Sequence, residues 1–439
     1  MATRAGSAQS EKPKVSALLG ERVRAARSQL GLSQAQLAGD ELTKGFISQL
    51  ESGLVRPSIR SLQLIAGRLG KPLDYFIGDE PLAANKRLAF HRVAAETAAE
   101  QDDWSEVRRH VGIALEQSPH PRERAGLLYL LARAEASESA FERVFEAVSE
   151  SLGLVQESTD PPLVAGLLFL RGTAYLDLGQ LGAATEAYEA ARDVIERNEI
   201  VEPRLRSRVL ISLGTAYRRL NRTSKAIAAY ESALAIASRA SELRLAARGF
   251  MGIAVTHYDA GELDTAISSY QRALELFRRV ADLDFELNTL QSIATIQFES
   301  GDEAAKGSAK RAMDRALEVG SAHWAAVAEV ILARIALREG QAAEALRMAK
   351  HAETVLRDAG DEIQRADALG AAGAAHEALG RTSDADRAYR RSIDLYTSIG
   401  DFADRSGMAA EYARVLRARG EVDKAFEMLE LARGTAPRG

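Results

Sequence analysis

One turn chemistry recurs about every forty residues through most of this 439-residue chain. It shows as Gly179, Asn221, Gly261, Gly301, Gly340, Gly380 and Gly420. A small residue follows most of these turns, at Ala184, Ala226, Ala266, Ala345, Ala385 and Ala425, and then a tyrosine, at Tyr188, Tyr230, Tyr270 and Tyr389. Upstream lie Gly172 with Tyr175 and Gly214 with Tyr217. Glycine reaches positive φ without steric penalty, small residues let helix axes approach, and an aromatic fills the gap to the next pair. The pattern therefore predicts an all-α chain of helical hairpins, none of which buries its apolar face alone. Degenerate turns at Asp102 and Ser139 extend it to about nine hairpins over residues 88–436. Residues 301–315 depart most, because Lys306 stands where a small residue is expected, and a kink or a degraded repeat is expected there.

Composition narrows the chemistry. With no cysteine there is no disulfide frame, thiol catalysis or cysteine-held zinc, which suits a reducing, cytoplasmic setting. Residues 1–14 are polar and small, read as a disordered tail without a secretory core, and no apolar run approaches the roughly 18 residues that span a bilayer. The net charge of -5 hides a split: residues 1–78 hold 11 Lys/Arg against 6 Asp/Glu, leaving the acidic excess to the remainder. A basic head attracts polyphosphate and an acidic body is repelled by it. The pair His376-Glu377 lacks a second histidine one turn on, and seven scattered histidines suggest no metal. Neither phosphate-loop glycines nor a nucleophile–base pair is legible, so no enzyme activity and no cofactor are expected.

The basic head, residues 15–78, reads as five short helices. Leu19, Val23, Ala26 and Leu30 set a first helix from about Leu18 to a stop at Gly31, and Ser33 caps a second. A third runs from about Thr43 to Ser52; Pro57-Ser58 opens a fourth, with Ile59, Leu62, Ile65, Ala66 and Leu69 buried, and Pro72 to Phe76 makes a brief fifth. Gly78 to Pro81 begins a short connector, 79–87. Leu32-Ser33-Gln34, Leu37-Ala38, Ile47-Ser48-Gln49-Leu50-Glu51, Gly53, Pro57-Ser58 and Leu69-Gly70 occur in order. This run resembles the lambda-repressor-like (Cro/XRE-type) helix-turn-helix family. The resemblance implies that the third helix enters the major groove of DNA, that Lys44, Gly45, Ser48 and Gln49 face base edges, and that Gln34, Arg56 and Arg60 hold phosphates. It also pairs Glu51 with Arg27, whereas Arg22, Arg24 and Arg68 read as solvated. Gly39 to Thr43 is one residue shorter than the family's turn, which leaves the register of Lys44 and Gly45 open by one.

The repeats resemble the tetratricopeptide repeat, with helices longer than usual, which implies a right-handed α-solenoid whose first helices line a groove. Repeat phase places Tyr129, Arg133, Thr173, Asp177, Arg208, Ser212, Thr215, Arg218, Arg219, Tyr258, Asn288, Gln291, Thr295 and Arg334 on that face. Asn and Gln amides clamp a peptide backbone through paired donors and acceptors, and arginine holds carboxylates. Together the two resemblances are similar to the peptide-pheromone-sensing regulators of Gram-positive bacteria. They imply a dimeric regulator that binds an operator in double-stranded DNA and a peptide in the groove. A DNA-bound adaptor docking a protein partner, and a scaffold without DNA binding, stay open.

Overall fold

The computed structural model describes residues 12–55, 57–71, 75–76, 84–117 and 119–433. Helices are the regular secondary structure of the described residues, which fall in two compact units, residues 1–163 and 164–439.

The first unit begins with α1 (Lys12–Gln29), α2 (Gln34–Ala38), α3 (Lys44–Glu51) and α4 (Ile59–Leu69). α1 starts six residues ahead of the expected Leu18, within the segment read as a tail, and Gly31 then takes φ +67°. Ser33 forms a reciprocal cap on α2: its hydroxyl accepts from Gln36 N at 3.2 Å, and its own N–H donates to Gln36 Oε1 at 2.8 Å. Thr43 caps α3 through Phe46 N, and Ser58 caps α4 through Ser61 N. Short helices with satisfied ends need a shared core, here Val23, Leu37, Ile47, Leu50, Ile65 and Leu69. Gly20 permits the closest approach, since a Cβ there would collide with the Leu50 and Glu51 carbonyls. Of the expected fifth helix, Tyr75 and Phe76 are helical; residues 72–74 and the connector from 78 to 81 lie outside the described residues, as do Arg56 and the side chain of Ile59.

Eighteen further helices follow as consecutive pairs. They are α5 (Ala84–Glu100), α6 (Trp104–Glu116), α7 (Pro121–Ser137), α8 (Phe141–Leu154), α9 (Pro161–Asp177) and α10 (Leu181–Arg197). Then come α11 (Pro203–Arg219), α12 (Thr223–Arg239), α13 (Leu243–Asp259), α14 (Leu263–Arg279), α15 (Leu283–Ser300) and α16 (Ala305–Glu318). The last are α17 (Ala322–Arg338), α18 (Ala342–Ala359), α19 (Glu362–Ala378), α20 (Thr382–Ser398), α21 (Phe402–Ala418) and α22 (Val422–Arg433). All nine turns named from sequence, Asp102 and Ser139 included, hold positive φ, between 55° and 82°. Each lets the chain reverse while the helix end keeps its carbonyls bonded, as Gln180 N does to Tyr175 O at 2.9 Å.

The tyrosines after the turns are the core. Tyr188, Tyr230 and Tyr389 are fully buried, and their rings lie against Gly172, Gly214 and Gly373 of the preceding helix. Residues 301–315 still form part of a hairpin, but its second helix, α16, starts late and runs 14 residues where α14 has 17 and α18 has 18. Gly301 and the next left-handed residue, Gly320, stand one residue closer than the matching pairs from Gly179 onward, so Ala305 and Ala309 take the buried small positions and Lys306 points outward to Glu339 at 2.7 Å.

Candidate nucleic-acid interface and ligand groove

On α3 one face is buried and the other is not. Ile47, Leu50 and Glu51 point inward; Lys44, Gly45 and Gln49 are exposed and Ser48 is half-buried beside them. The four outward positions are neighbours on a 3.6-residue helix, so they form one polar strip. Thr43 as the cap makes Lys44 the first helical residue. Beneath the strip, Glu51 accepts from Arg27 Nε at 2.5 Å and Nη2 at 3.0 Å, and from Gln34 Nε2 at 2.8 Å. Arg27 also donates to Leu32 O at 2.7 Å. Burial alone pushes the Glu51 carboxyl up, but the Arg27 and Gln34 bonds overrule it and hold it below the usual carboxylate range. Three helices are thereby tied at one carboxylate, and Gln34 acts on that knot. Arg60 is exposed at the start of α4. Arg68 is a correction: it is not a solvated face but donates to the carbonyls of Leu37 and Ala38 and pairs with Glu41, closing the open end of α2. Arg22 reaches Tyr75 O at 3.4 Å, while Arg24 is exposed.

In the first unit, Tyr129 lines a cavity of about 480 Å3 with Arg92, Glu96, Arg122 and Asp160. Arg133 lies 5.2 Å over the Trp104 ring and donates to Ala99 O at 3.5 Å.

In the second unit the first helices of the hairpins carry the polar face. Arg208 lies 4.8 Å over the Phe169 ring. Thr173 accepts from the Tyr188 hydroxyl at 3.2 Å, Ser212 bonds the same hydroxyl, and Thr215 meets that of Tyr230 at 3.0 Å. Arg218 donates to Asp259 at 2.7 Å and Arg219 to Leu176 O at 3.0 Å, close enough to Asp177 to draw its carboxyl down against the dominant effect of burial. Tyr258 donates to Glu299 at 2.7 Å. Asn288 is exposed and Thr295 half-buried; Gln291 donates to Val327 O at 3.2 Å, while its buried Oε1 has no partner among the described residues. Arg334 donates to Asp367 at 3.3 Å. The two keep 28% and 34% of their side-chain surface, yet desolvation is the largest influence on each.

A helix-turn-helix family profile matches residues 23–76, and a tetratricopeptide-repeat profile matches residues 163–239. The chain joins a helix-turn-helix domain to a tetratricopeptide-repeat body. The immunity repressor protein of Bacillus phage phi105 is 26% identical over 92 residues, 21% of this chain and 62% of that repressor. Among solved structures, the repeat body and its neighbours resemble the apo form of the quorum sensor NprR from B. thuringiensis, with a TM-score of 0.58 and 16% identity over 86% of this chain and 99% of that one. The apo form of RapI gives 0.61 at 14% identity over 80% of this chain and 96% of that one. At these identities the likeness is one of fold. No helix among the described residues is long and apolar enough to cross a membrane.

Two groove residues of the repeat body escape a residue-by-residue reading of the sequence. Arg208, Arg248, Asn288, Val327 and Asp367 each stand thirteen residues before a hairpin turn, at Asn221, Gly261, Gly301, Gly340 and Gly380. They are equivalent positions on α11, α13, α15, α17 and α19. Arg208 and Asn288 are legible as groove residues by themselves; counting back from the turns adds Arg248 and Asp367.

Proposed function

We propose that the chain is a DNA-binding transcriptional regulator whose repeat body binds a short peptide and so sets how the helix-turn-helix domain meets its operator. The observation that carries this reading is the outward strip Lys44, Gly45, Ser48 and Gln49 on α3, in one chain with a repeat body whose first helices present Arg208, Asn288 and Arg334. The quorum sensor NprR, of similar fold, supports it. Two copies would read half-sites one helical turn apart, about 34 Å, and the ligand need favour one arrangement of the heads by only about 1–3 kcal/mol. Gln34, Arg56 and Arg60 are assigned to phosphates in this reading, with Gln34 acting while bonded to Glu51.

The test is fluorescence anisotropy of the full chain on the DNA upstream of its own gene, with and without a low-molecular-weight fraction of spent medium. A shift in affinity that protease treatment of the fraction abolishes supports the peptide sensor. Tight binding indifferent to the fraction transfers the groove to a protein partner, and no specific binding removes the operator from the reading. Gln49→Ala is expected to cost about 1–3 kcal/mol on the operator and to relax discrimination at one base position. An equal loss on random DNA would take Gln49 away from base edges.

A further inference from the structure

The equivalent groove positions change sign along the repeat body. Arg208 and Arg248 on α11 and α13 are cationic, Asn288 on α15 is neutral and polar, and Asp367 on α19 is anionic, while the equivalent Val327 on α17 is buried in the core. The neighbours sharpen the gradient. Arg248 lies 5.9 Å over the Phe285 ring, and after burial the Arg208 charge is what most disfavours its own, so the two guanidiniums share one region. Around Asp367 stand Asp404 and Glu411, with Arg334 as the nearby cation. Burial, then Asp401 and Asp367, push the Asp404 carboxyl up to about 6, the response of a carboxylate short of positive charge.

Tyr258 on α13 and Asp404 on α21 are four hairpins apart, yet Asp404 is near enough to raise the pKa of the Tyr258 hydroxyl, after burial, Glu299 and Asp259. Successive helices pack about 8–10 Å apart, so the four steps from α11 to α19 span at most about 40 Å. An extended chain rises about 3.3–3.6 Å per residue, and about a dozen residues is the upper limit of what fits.

Building on the peptide reading above, we infer that the groove orients a short linear peptide by charge, with its C-terminal carboxylate against Arg208 and Arg248 and its N-terminal ammonium or a basic first side chain against Asp367 and Asp404. Arginine donors hold a carboxylate through paired N–H bonds, and carboxylates take an ammonium as point charges. Asn288, midway, offers both a donor and an acceptor to the peptide backbone. A peptide entering the other way round would place like charges together at both ends, so the gradient selects direction as well as composition.

The experiment is affinity selection of a randomised octapeptide library on the full chain, followed by calorimetry of the selected peptides in four forms, with free or amidated C-termini and free or acetylated N-termini. On the native chain, amidation and acetylation are each expected to weaken binding about ten-fold, the loss of one charge-assisted contact. In R248Q the amidation penalty should fall below about two-fold while the acetylation penalty stays; in D367N the reverse should hold. Because the end-capped peptides also test the native chain, the result does not depend on either variant folding. Binders indifferent to both caps, or penalties that each variant leaves unchanged, would overturn the polarity and leave peptide binding standing. Penalties relieved by the opposite variants would reverse the direction. A library that yields no binder would overturn the peptide reading itself.

Discussion

Glu51→Ala is expected to destabilise the helix-turn-helix domain by about 3–5 kcal/mol, because it leaves the Arg27 guanidinium buried without its counter-charge. The side chains of Arg27 and Glu51 retain 14% and 4% of their surface, so solvent screens the pair little. Gln34 loses its acceptor at the same time, and α1, α2 and α3 lose their common tie. DNA affinity should fall with stability, since the strip on α3 is aimed by that tie. The same pair makes stability depend on pH. The folded pKa of Glu51 lies below its ordinary 4.5, so its contribution is complete above that value and is lost as the pH falls through the depressed folded value. Thermal melts followed by circular dichroism from pH 7 to pH 3 would show an acid-side loss in the native chain that Glu51→Gln lacks. A change under about 1 kcal/mol in Glu51→Ala would mean that the pair behaves as a surface bridge.

Tyr230→Ala is the second large effect, about 3–5 kcal/mol and confined in space. The ring sits between Gly214 on α11 and Gly252 on α13; a Cβ at Gly214 would approach it to 2.9 Å and one at Gly252 closer still. Its hydroxyl meets Thr215 at 3.0 Å. Nothing nearby is shaped to refill that slot. In a solenoid each hairpin is held by its neighbours, so the break should appear as lost hydrogen-exchange protection in α11 to α13 with α19 to α22 unchanged. A uniform loss across the body would show that the repeats melt as one block instead.

How much of this was legible follows from what each feature demands of a side chain. A hairpin turn at positive φ restricts the residue so strongly that even Asp102, Ser139 and Asn221 could be found by phase. The turns between hairpins, at Glu199, Ser241 and Ala281, hold positive φ on residues that carry no such signature, and they were not. Lys306 misled because a one-residue deletion shifts helix phase by about 100°, and Ala305 and Ala309 had already taken the buried positions. Arg68 was misread because its partners are backbone carbonyls, which a sequence pattern does not display. The outward strip on α3 was legible because helix phase alone separates it from Ile47 and Leu50. The sign change along the groove was not, since it emerges only when residues forty apart are compared as equivalents.

The left-handed turns are unevenly made. Asp102, Ser139, Glu199, Asn221, Ser241 and Ala281 are all the non-glycine ones among the described residues, and from Gly301 onward every one is glycine. A side chain in that conformation costs about 1–2 kcal/mol, somewhat less for Asn and Asp, so the backbone up to Ala281 carries conformational energy that the later turns do not. The repeat body is thus a spring of two tempers. Relaxing a joint at Asp102, Ser139, Glu199, Asn221, Ser241 or Ala281 would release stored energy, whereas the glycine joints from Gly301 onward hold the same conformation without penalty and would release none.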